Sequence, residues 1–538
     1  MHSGNDLWNL TEQKALDVRH IADSSGEKEI LSYPHSFRSM YDMLVRSAER
    51  QGDKGAIADN ENHMHTYRQL LMDTDVLADY LENTLGFQAH SRVGLLLYNS
   101  YEFCVSIFAL FKLGLTAVPI PTKFREREIC SLIEKSDVKG ILSDIHFEHA
   151  VAPFSGKGIK IIFSENAAGE YGFSHLKTGN KLFADTRAEL SSDAILMYTS
   201  GTTDQSKGVV LKNYSVIHGI MTYQKLLGIT EKDSSVISIP IYHITGIVAL
   251  LGLFIYAGGT LYLHKTFDAG RTLACVRDFS VTFLHASPTV YLKMLDLQTS
   301  YPSLPSLRML ACGSSNMPPA KIRKLQEWLP QMEFVTVYGL TETSSPGTIF
   351  PGNAAASPYI GSSGRPIPGT EFRIVNEDGE ELPDGQVGEI AIRGTVVLDR
   401  YDKIETPLLK DGWLRTGDLG YFNEEAYLYI AGRKKDMINR GGEKICIYDV
   451  ENALCRMEGV ADAAVAGIPD EIYGETAAAA VVLEKGYMLE ETDIRAFLKT
   501  MLAGYKIPAR FLFLEKLPVT PGGKTDRKAV KKRFLQEK

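Results

Sequence analysis

The sequence predicts an α/β protein: a large N-terminal domain of layered α/β sheets carrying a small β subdomain, followed by a small α+β C-terminal domain. Three observations predict it. Short β-branched runs alternate with helix-like stretches before Gly361, strands and tight turns dominate after it, and the charged segment Gly432-Arg-Lys-Lys-Asp separates two regions that can each bury a core. The length supports this division, because 538 residues at 44% hydrophobic and 23% charged supply apolar surface for a large interior, and roughly 100–200 residues make one domain.

Residues 1–33 show no sustained period and are expected as a polar extension without regular order. Ser36 is placed as the N-cap of a helix whose apolar face is Phe37, Met40, Leu44 and Ala48. Residues 93–97 and 117–120 are predicted strands flanking the apolar helix 103–113. Similar runs at 140–143, 160–163, 235–239, 260–263, 281–284 and 334–337 imply largely parallel sheets. The longest apolar run, 247–257, falls short of the ~20 residues of a membrane span and is expected as a buried helix. Residues 371–375, the turn Asn376-Glu-Asp-Gly and 388–393 predict a small antiparallel barrel or sheet. A boundary near Arg433 to Asp436 gives domains 34–433 and 434–538, the second built from 461–467, 477–483 and the helix 491–502.

Composition excludes several functions. With 58 Lys+Arg against 66 Asp+Glu the net charge is −8, which gives no attraction to phosphate backbones or anionic lipid, so no nucleic-acid partner is expected. Six cysteines without a C-x-x-C pair predict a reducing compartment and no structural metal. The acidic N-terminal stretch does not resemble a signal peptide, and the final residues carry no prenyl or peroxisomal signature, so a cytoplasmic protein is expected.

Chemistry first shows at residues 197–210, where hydroxyls and glycines concentrate between two β-like runs and Lys207 adds positive charge. Backbone N–H groups and Ser/Thr donors in such a loop can wrap a polyphosphate. The loop lacks the G-x-x-x-x-G-K-[ST] pattern of kinases and GTPases.

Further motifs follow in a fixed order: Thr66-Tyr-Arg-Gln-Leu, Lys112-Leu-Gly-Leu-Thr-Ala-Val-Pro, the hydroxyl loop, Pro240-Ile-Tyr-His, Tyr338-Gly-Leu-Thr-Glu-Thr, Gly364-Arg-Pro-Ile-Pro-Gly and Gly388-Glu-Ile-Ala-Ile-Arg-Gly. Then come Trp413-Leu-Arg-Thr-Gly-Asp, Gly432-Arg-Lys-Lys-Asp, Asn439-Arg-Gly-Gly-Glu-Lys-Ile and Pro521-Gly-Gly-Lys-Thr-Asp-Arg. In this order they resemble the acyl-adenylate-forming superfamily of acyl-CoA synthetases, adenylation domains and beetle luciferases, over roughly residues 37–534. The resemblance implies that a carboxylate attacks the α-phosphate of Mg-ATP, releasing pyrophosphate, and that a thiol then captures the acyl-adenylate. Two anions must meet, so cationic groups and a divalent ion are needed.

By this resemblance Lys524 bridges carboxylate and phosphate, Glu342 is the magnesium-associated carboxylate, Thr341 contacts phosphate, and Thr199, Ser200, Gly201, Thr202, Thr203 and Lys207 form the phosphate loop. Tyr338 and Gly339 lie at adenine, beside the loop Gly313, Ser314 and Ser315, where only the first glycine of the family's Gly-Gly-Ala is kept. Asp418 suits the ribose hydroxyls and Arg433 a second ribose or phosphate contact. Lys435 matches the hinge of a mobile C-terminal domain that removes Lys524 and admits the thiol, whose tunnel would include Gly441, Gly442 and Lys444.

Two positions depart from the family pattern: Asp204 replaces a glycine and Ser206 a proline in the phosphate loop. A negative charge beside triphosphate opposes binding by ~1 kcal/mol if solvated. Asp204→Gly is therefore expected to lower the Michaelis constant for ATP, and an unchanged value would place the carboxylate in solvent. For the acid, His243 with Gly246 and the apolar Ile247 fits a substrate without positive charge. Residues 438–445 resemble the dihydroxybenzoate and oxalate branches instead; His243 is weighted more because it should sit at the acid.

The sequence reading is thus an acid:CoA ligase using ATP, Mg2+ and CoA on a medium-chain aliphatic or aromatic acid, as a monomer or homodimer. One alternative loads a separate holo-carrier protein; another is a non-catalytic nucleotide-binding regulator.

Overall fold

The computed structural model describes residues 1–8, 16–23, 26–164, 186–199, 207–404, 408–409, 412–520 and 524–536. These residues form five sheets. The expected parallel units build two of them. One has Lys160–Phe163, Gly140–Ser143, Arg92–Leu96 and Thr116–Pro119 in parallel, continued antiparallel by Gly208–Lys212 and Arg400–Tyr401 beyond Asp193–Tyr198. The other carries Gly55–Ala58, Thr260–Leu263, Ser234–Ile237, Phe283–Ala286, Met309–Cys312 and Glu333–Tyr338 in parallel. Met309–Cys312 was not legible as a strand, because its short run Met-Leu-Ala-Cys lacks β-branched residues.

Helix Tyr101–Lys112 is buried along its whole length, which explains its lack of a polar face. Ser100 caps it by accepting from the Phe103 N–H at 3.2 Å. Its one cation, Lys112, is matched by Asp75 at 2.6 Å. The apolar run 247–257 is a buried helix, wound with π geometry over Thr245–Gly252 and as α-helix over Leu253–Ala257, where Gly258 at φ +82° stops it. No helix among the described residues is long and apolar enough to cross a membrane.

Two expectations are corrected. The helix expected from Ser36 begins at Met40, because Ser39 caps it by accepting from the Tyr41 N–H at 3.3 Å while the chain before it is extended. The N-terminal extension is ordered where described. His2–Ser3 pairs with Thr370–Val375, and Asp17–Asp23 forms a hairpin with Gly26–Ser32 that buries Ile21 and Ile30 on Tyr214. So short a burial leaves no periodic signal in a polar sequence.

The antiparallel β subdomain joins Thr370–Val375, Gly388–Gly394, Trp413–Phe422 and Leu428–Arg433. After Arg433 the chain makes a single turn over Lys434–Asp436 and enters the last sheet at Ile438. There Val460–Asp470 and Gly474–Leu483 pair along ten residues, and Arg510–Phe513 adds a parallel strand. Helices Ile447–Leu454 and Glu491–Met501 cover one face of that sheet.

Candidate active site

The site is built from strand ends. Tyr338 closes strand Glu333–Tyr338, and the following Gly339 is obligatory, because a Cβ there would lie 1.5 Å from the Ser345 carbonyl oxygen. That close approach folds Thr341–Thr343 into a 3₁₀ turn presenting Thr341 and Glu342. The loop after Met309–Cys312 comes alongside: a Cβ on Gly313 would meet the Val337 oxygen at 3.0 Å, and Ser314 holds φ +72°. The family glycine matched by Ser314 thus marks a left-handed position that serine occupies at some cost. Ser315 follows in the same loop.

The residues expected at the ribose lie together. Asp418 sits opposite Arg433 in the register of Trp413–Phe422 and Leu428–Arg433. Its Oδ2 accepts from the Tyr338 hydroxyl at 3.0 Å, and its Oδ1 lies 3.1 Å from the Arg433 Nε. Burial pushes the Asp418 carboxyl up, while the Arg433 charge, the Tyr338 hydrogen bond and the Lys524 ammonium pull it back.

On the phosphate side, the Thr199 N–H donates to the Lys207 carbonyl at 3.0 Å, and the Lys207 Nζ stands 5.0 Å from the centre of the Tyr401 ring. The Tyr401 hydroxyl donates to Glu342 Oε1 at 3.2 Å. Tyr401 therefore links the loop lysine to the carboxylate. Sequence reasoning missed it, since a tyrosine at a two-residue strand carries no spacing signal. Burial raises the Glu342 pKa. Ser200, Gly201, Thr202, Thr203, Asp204 and Ser206 lie outside the described residues.

Lys524 arrives from the C-terminal domain. The Thr520 N–H donates to the Lys524 carbonyl at 2.7 Å, and the Thr520 hydroxyl accepts from the Lys524 N–H at 3.2 Å, fixing the turn just ahead of helix Arg527–Gln536. The residue as a whole is exposed, but its ammonium is crowded by protein within electrostatic reach of Arg433, Asp418, Glu342 and His243. Burial among protein and the Arg433 charge lower its pKa, and the two carboxylates oppose them.

His243 lies within electrostatic reach of Lys524. Its Nε2 is buried without a hydrogen-bond partner among the described residues, and burial, then the charges of Lys524 and Lys123, push its pKa down to about 4. It stands as a neutral imidazole. Gly246 serves packing, since a Cβ would meet the Ile241 backbone at 2.7 Å, and Ile247 is wholly buried in the core. Gly441 and Gly442 both have positive φ, +59° and +95°, and make the two-residue turn between Ile438–Arg440 and Glu443–Ile445. They neighbour Tyr473 and Asn439, and Lys444 faces Glu377 at 3.7 Å. Lys435 lies in the turn between the domains.

The buried Asp418–Arg433–Tyr338 cluster, the Glu342 carboxylate and Lys524 of the second domain thus share one neighbourhood. The chain belongs to the AMP-binding enzymes: the family model of that description matches residues 44–402, and the AMP-binding enzyme C-terminal domain matches 449–524. It is 30% identical over 517 residues to an oxalate–CoA ligase of Arabidopsis thaliana, covering 92% of this chain and 98% of that one. Among solved structures, ATP-bound MatB from Rhodopseudomonas palustris superposes with a TM-score of 0.83 at 26% identity, over 92% of this chain and 99% of that one. O-succinylbenzoate CoA synthetase (MenE) from Bacillus subtilis, in complex with ATP and a magnesium ion, gives 0.78 at 28% identity, over 91% and 99%.

Proposed function

We propose that this chain is an AMP-forming acid:CoA ligase whose acid carries no positive charge, and that it acts on a medium-chain aliphatic or aromatic carboxylate. In the first half-reaction a carboxylate oxygen bonds to the α-phosphorus of ATP and pyrophosphate leaves. In the second the CoA sulfur bonds to the acyl carbon, AMP leaves and the thiol proton passes to solvent. The observation that carries the reading is Lys524, a residue of the second domain within electrostatic reach of Asp418, Arg433, Glu342 and His243 of the first. An ammonium there offsets the repulsion between substrate carboxylate and triphosphate.

The other roles follow from contacts. Asp418 would accept from the ribose hydroxyls while held by Arg433 and Tyr338, Thr341 and Lys207 would bind phosphate, and Ser314 and Ser315 would line the adenine. Among the described residues no three His, Cys, Asp or Glu side chains gather as a metal cage. Glu342, a half-buried carboxylate, suits Mg2+, which usually takes one or two protein oxygens alongside phosphate and water. Such an ion, when bound, would neutralise phosphate charge. Neutral His243 disfavours a substrate ammonium less than it fails to reward one, and the acids named for the relatives, oxalate and o-succinylbenzoate, carry none.

Lys435 is read as the hinge. With Lys524 in the cleft, Gly441, Gly442 and Lys444 face outward, as a domain poised for the first half-reaction requires. All six cysteines are free thiols, which suits the cytoplasm.

The test is carboxylate-dependent exchange of labelled pyrophosphate into ATP with octanoate, benzoate, oxalate and o-succinylbenzoate, followed by CoA addition. Exchange with an acid and its CoA-dependent conversion to thioester are expected. Exchange without consumption of CoA would move the acceptor to a carrier protein; no exchange with any acid would leave a nucleotide-binding regulator.

A further inference from the structure

The helix Pro319–Trp328 leaves the adenine loop Gly313–Ser315 and runs along the seam between the domains. Its Lys321 is 4% exposed, an unusual state for a lysine. Asp296 of its own domain stands within electrostatic reach, but the hydrogen-bond partners of the ammonium among the described residues lie across the seam. The ammonium donates to the Val460 carbonyl at 2.8 Å and lies 3.4 Å from Glu484 Oε1, both in the C-terminal domain. Lys324, one turn on, also pairs with Glu484, and the Asn316 side-chain amide donates to Asn452 Oδ1 at 2.8 Å. Glu484 is fixed in turn, its N–H donating to the Gly459 carbonyl at 2.8 Å.

We infer that Lys321 is a positioning residue for adenylation: its buried ammonium, seated on Val460 and Glu484, latches the C-terminal domain in the orientation that delivers Lys524 to the cleft. This rests on the proposed swing of that domain about Lys435. Docking closes the Lys321 ammonium off from water against a carbonyl and a carboxylate, where each contact is stronger than in a solvated pair, and departure must exchange both for water. Elsewhere along the seam Lys434 meets Glu389 at 3.3 Å and Lys444 meets Glu377 at 3.7 Å, with both lysines at least half exposed. Such pairs hold weakly. The latch also starts at the adenine loop, through Asn316, so a base bound against Gly313–Ser315 steadies the segment that carries it. Lys321 touches no reactant; it acts through Lys524.

The experiment measures the two half-reactions separately on the full chain, with whichever panel acid exchanges fastest. Lys321→Met should slow pyrophosphate exchange about tenfold at saturating ATP and acid, the scale of losing a hydrogen bond to a charged group. Acyl transfer from preformed acyl-adenylate to CoA should hold or accelerate. Glu484→Gln should move the ratio of the two rates the same way by a smaller factor, and Lys321→Arg should recover part of the exchange. Equal loss of both half-reactions in Lys321→Met and Glu484→Gln would reduce the contacts to simple stability, and an unchanged ratio would remove the latch. The swing is tested apart from Lys321 by joining Asn316→Cys to Asn452→Cys with a short bis-maleimide. The joined protein should exchange but not transfer. If it completes both steps, the swing reading fails, whatever Lys321→Met does.

Discussion

The two ends of the cleft differ in how finished they are. At the ribose corner, Asp418 already has its hydroxyl donor and its guanidinium, each on a different carboxylate oxygen. At the end proposed for the acid, His243 keeps a buried ring nitrogen with no partner among the described residues. A buried polar atom left unpaired costs about 1–3 kcal/mol, which a ligand can recover by supplying the partner. On the proposed assignment, the nucleotide would meet a preorganised surface at Asp418, whereas the acid would complete the unpaired surface at His243.

The comparison can be broken most sharply through the group that spans both ends. Lys524→Ala should reduce pyrophosphate exchange by roughly 10²–10³-fold, as expected for loss of electrostatic stabilisation of the reacting anions. Transfer from preformed acyl-adenylate should persist; loss of both would contradict its assignment to the first step alone. At the finished corner, Asp418→Asn removes the charge facing Arg433 and should raise the KM for ATP roughly tenfold, with the KM for the acid much less affected. His243→Leu should do the reverse, raising the acid KM about fivefold and leaving ATP alone. Equal effects of these two variants on both constants would dissolve the distinction between the ends.

The smallest effect is on stability. His285 is fully enclosed near the adenine loop, its pKa lowered by burial to about 4 from 6.5. Because the unfolded chain takes up that proton first, the stabilisation is whole above pH 6.5 and is lost as pH falls from 6.5 toward 4. Thermal melts should show His285→Phe losing about 1–2 kcal/mol less than the parent between pH 7 and pH 5. An identical acid slope would mean the imidazole titrates normally.

Much of the fold was legible because burial on both faces leaves continuous apolar runs: residues 140–143 and 260–263 coincide with the strands Gly140–Ser143 and Thr260–Leu263, and the edge strand Lys160–Phe163 keeps the same β-branched signature. The strand at Met309 and the N-terminal pairings were not, since cross-chain partners, not local propensity, make them strands. In the site, Tyr338, Glu342, Asp418, Arg433 and Lys524 were readable from motifs, and the structure brings them into one neighbourhood. Gly246 looked like a pocket residue because sequence cannot distinguish a glycine that spares a ligand from one that spares a neighbouring backbone; here it spares Ile241. Tyr401 and Lys321 were invisible for a related reason, as their meaning lies wholly in residues distant along the chain.

The first strand has a consequence for how the chain is made. His2 and Ser3 pair with Phe372 and Glu371, and the Trp8 indole donates to the Pro366 carbonyl at 2.8 Å. At ribosomal rates of about 5–20 residues per second, the opening segment waits tens of seconds for its partner to emerge. Through that interval the nascent chain carries an unclosed edge, and the β subdomain can be sealed only after most of the polypeptide has been translated.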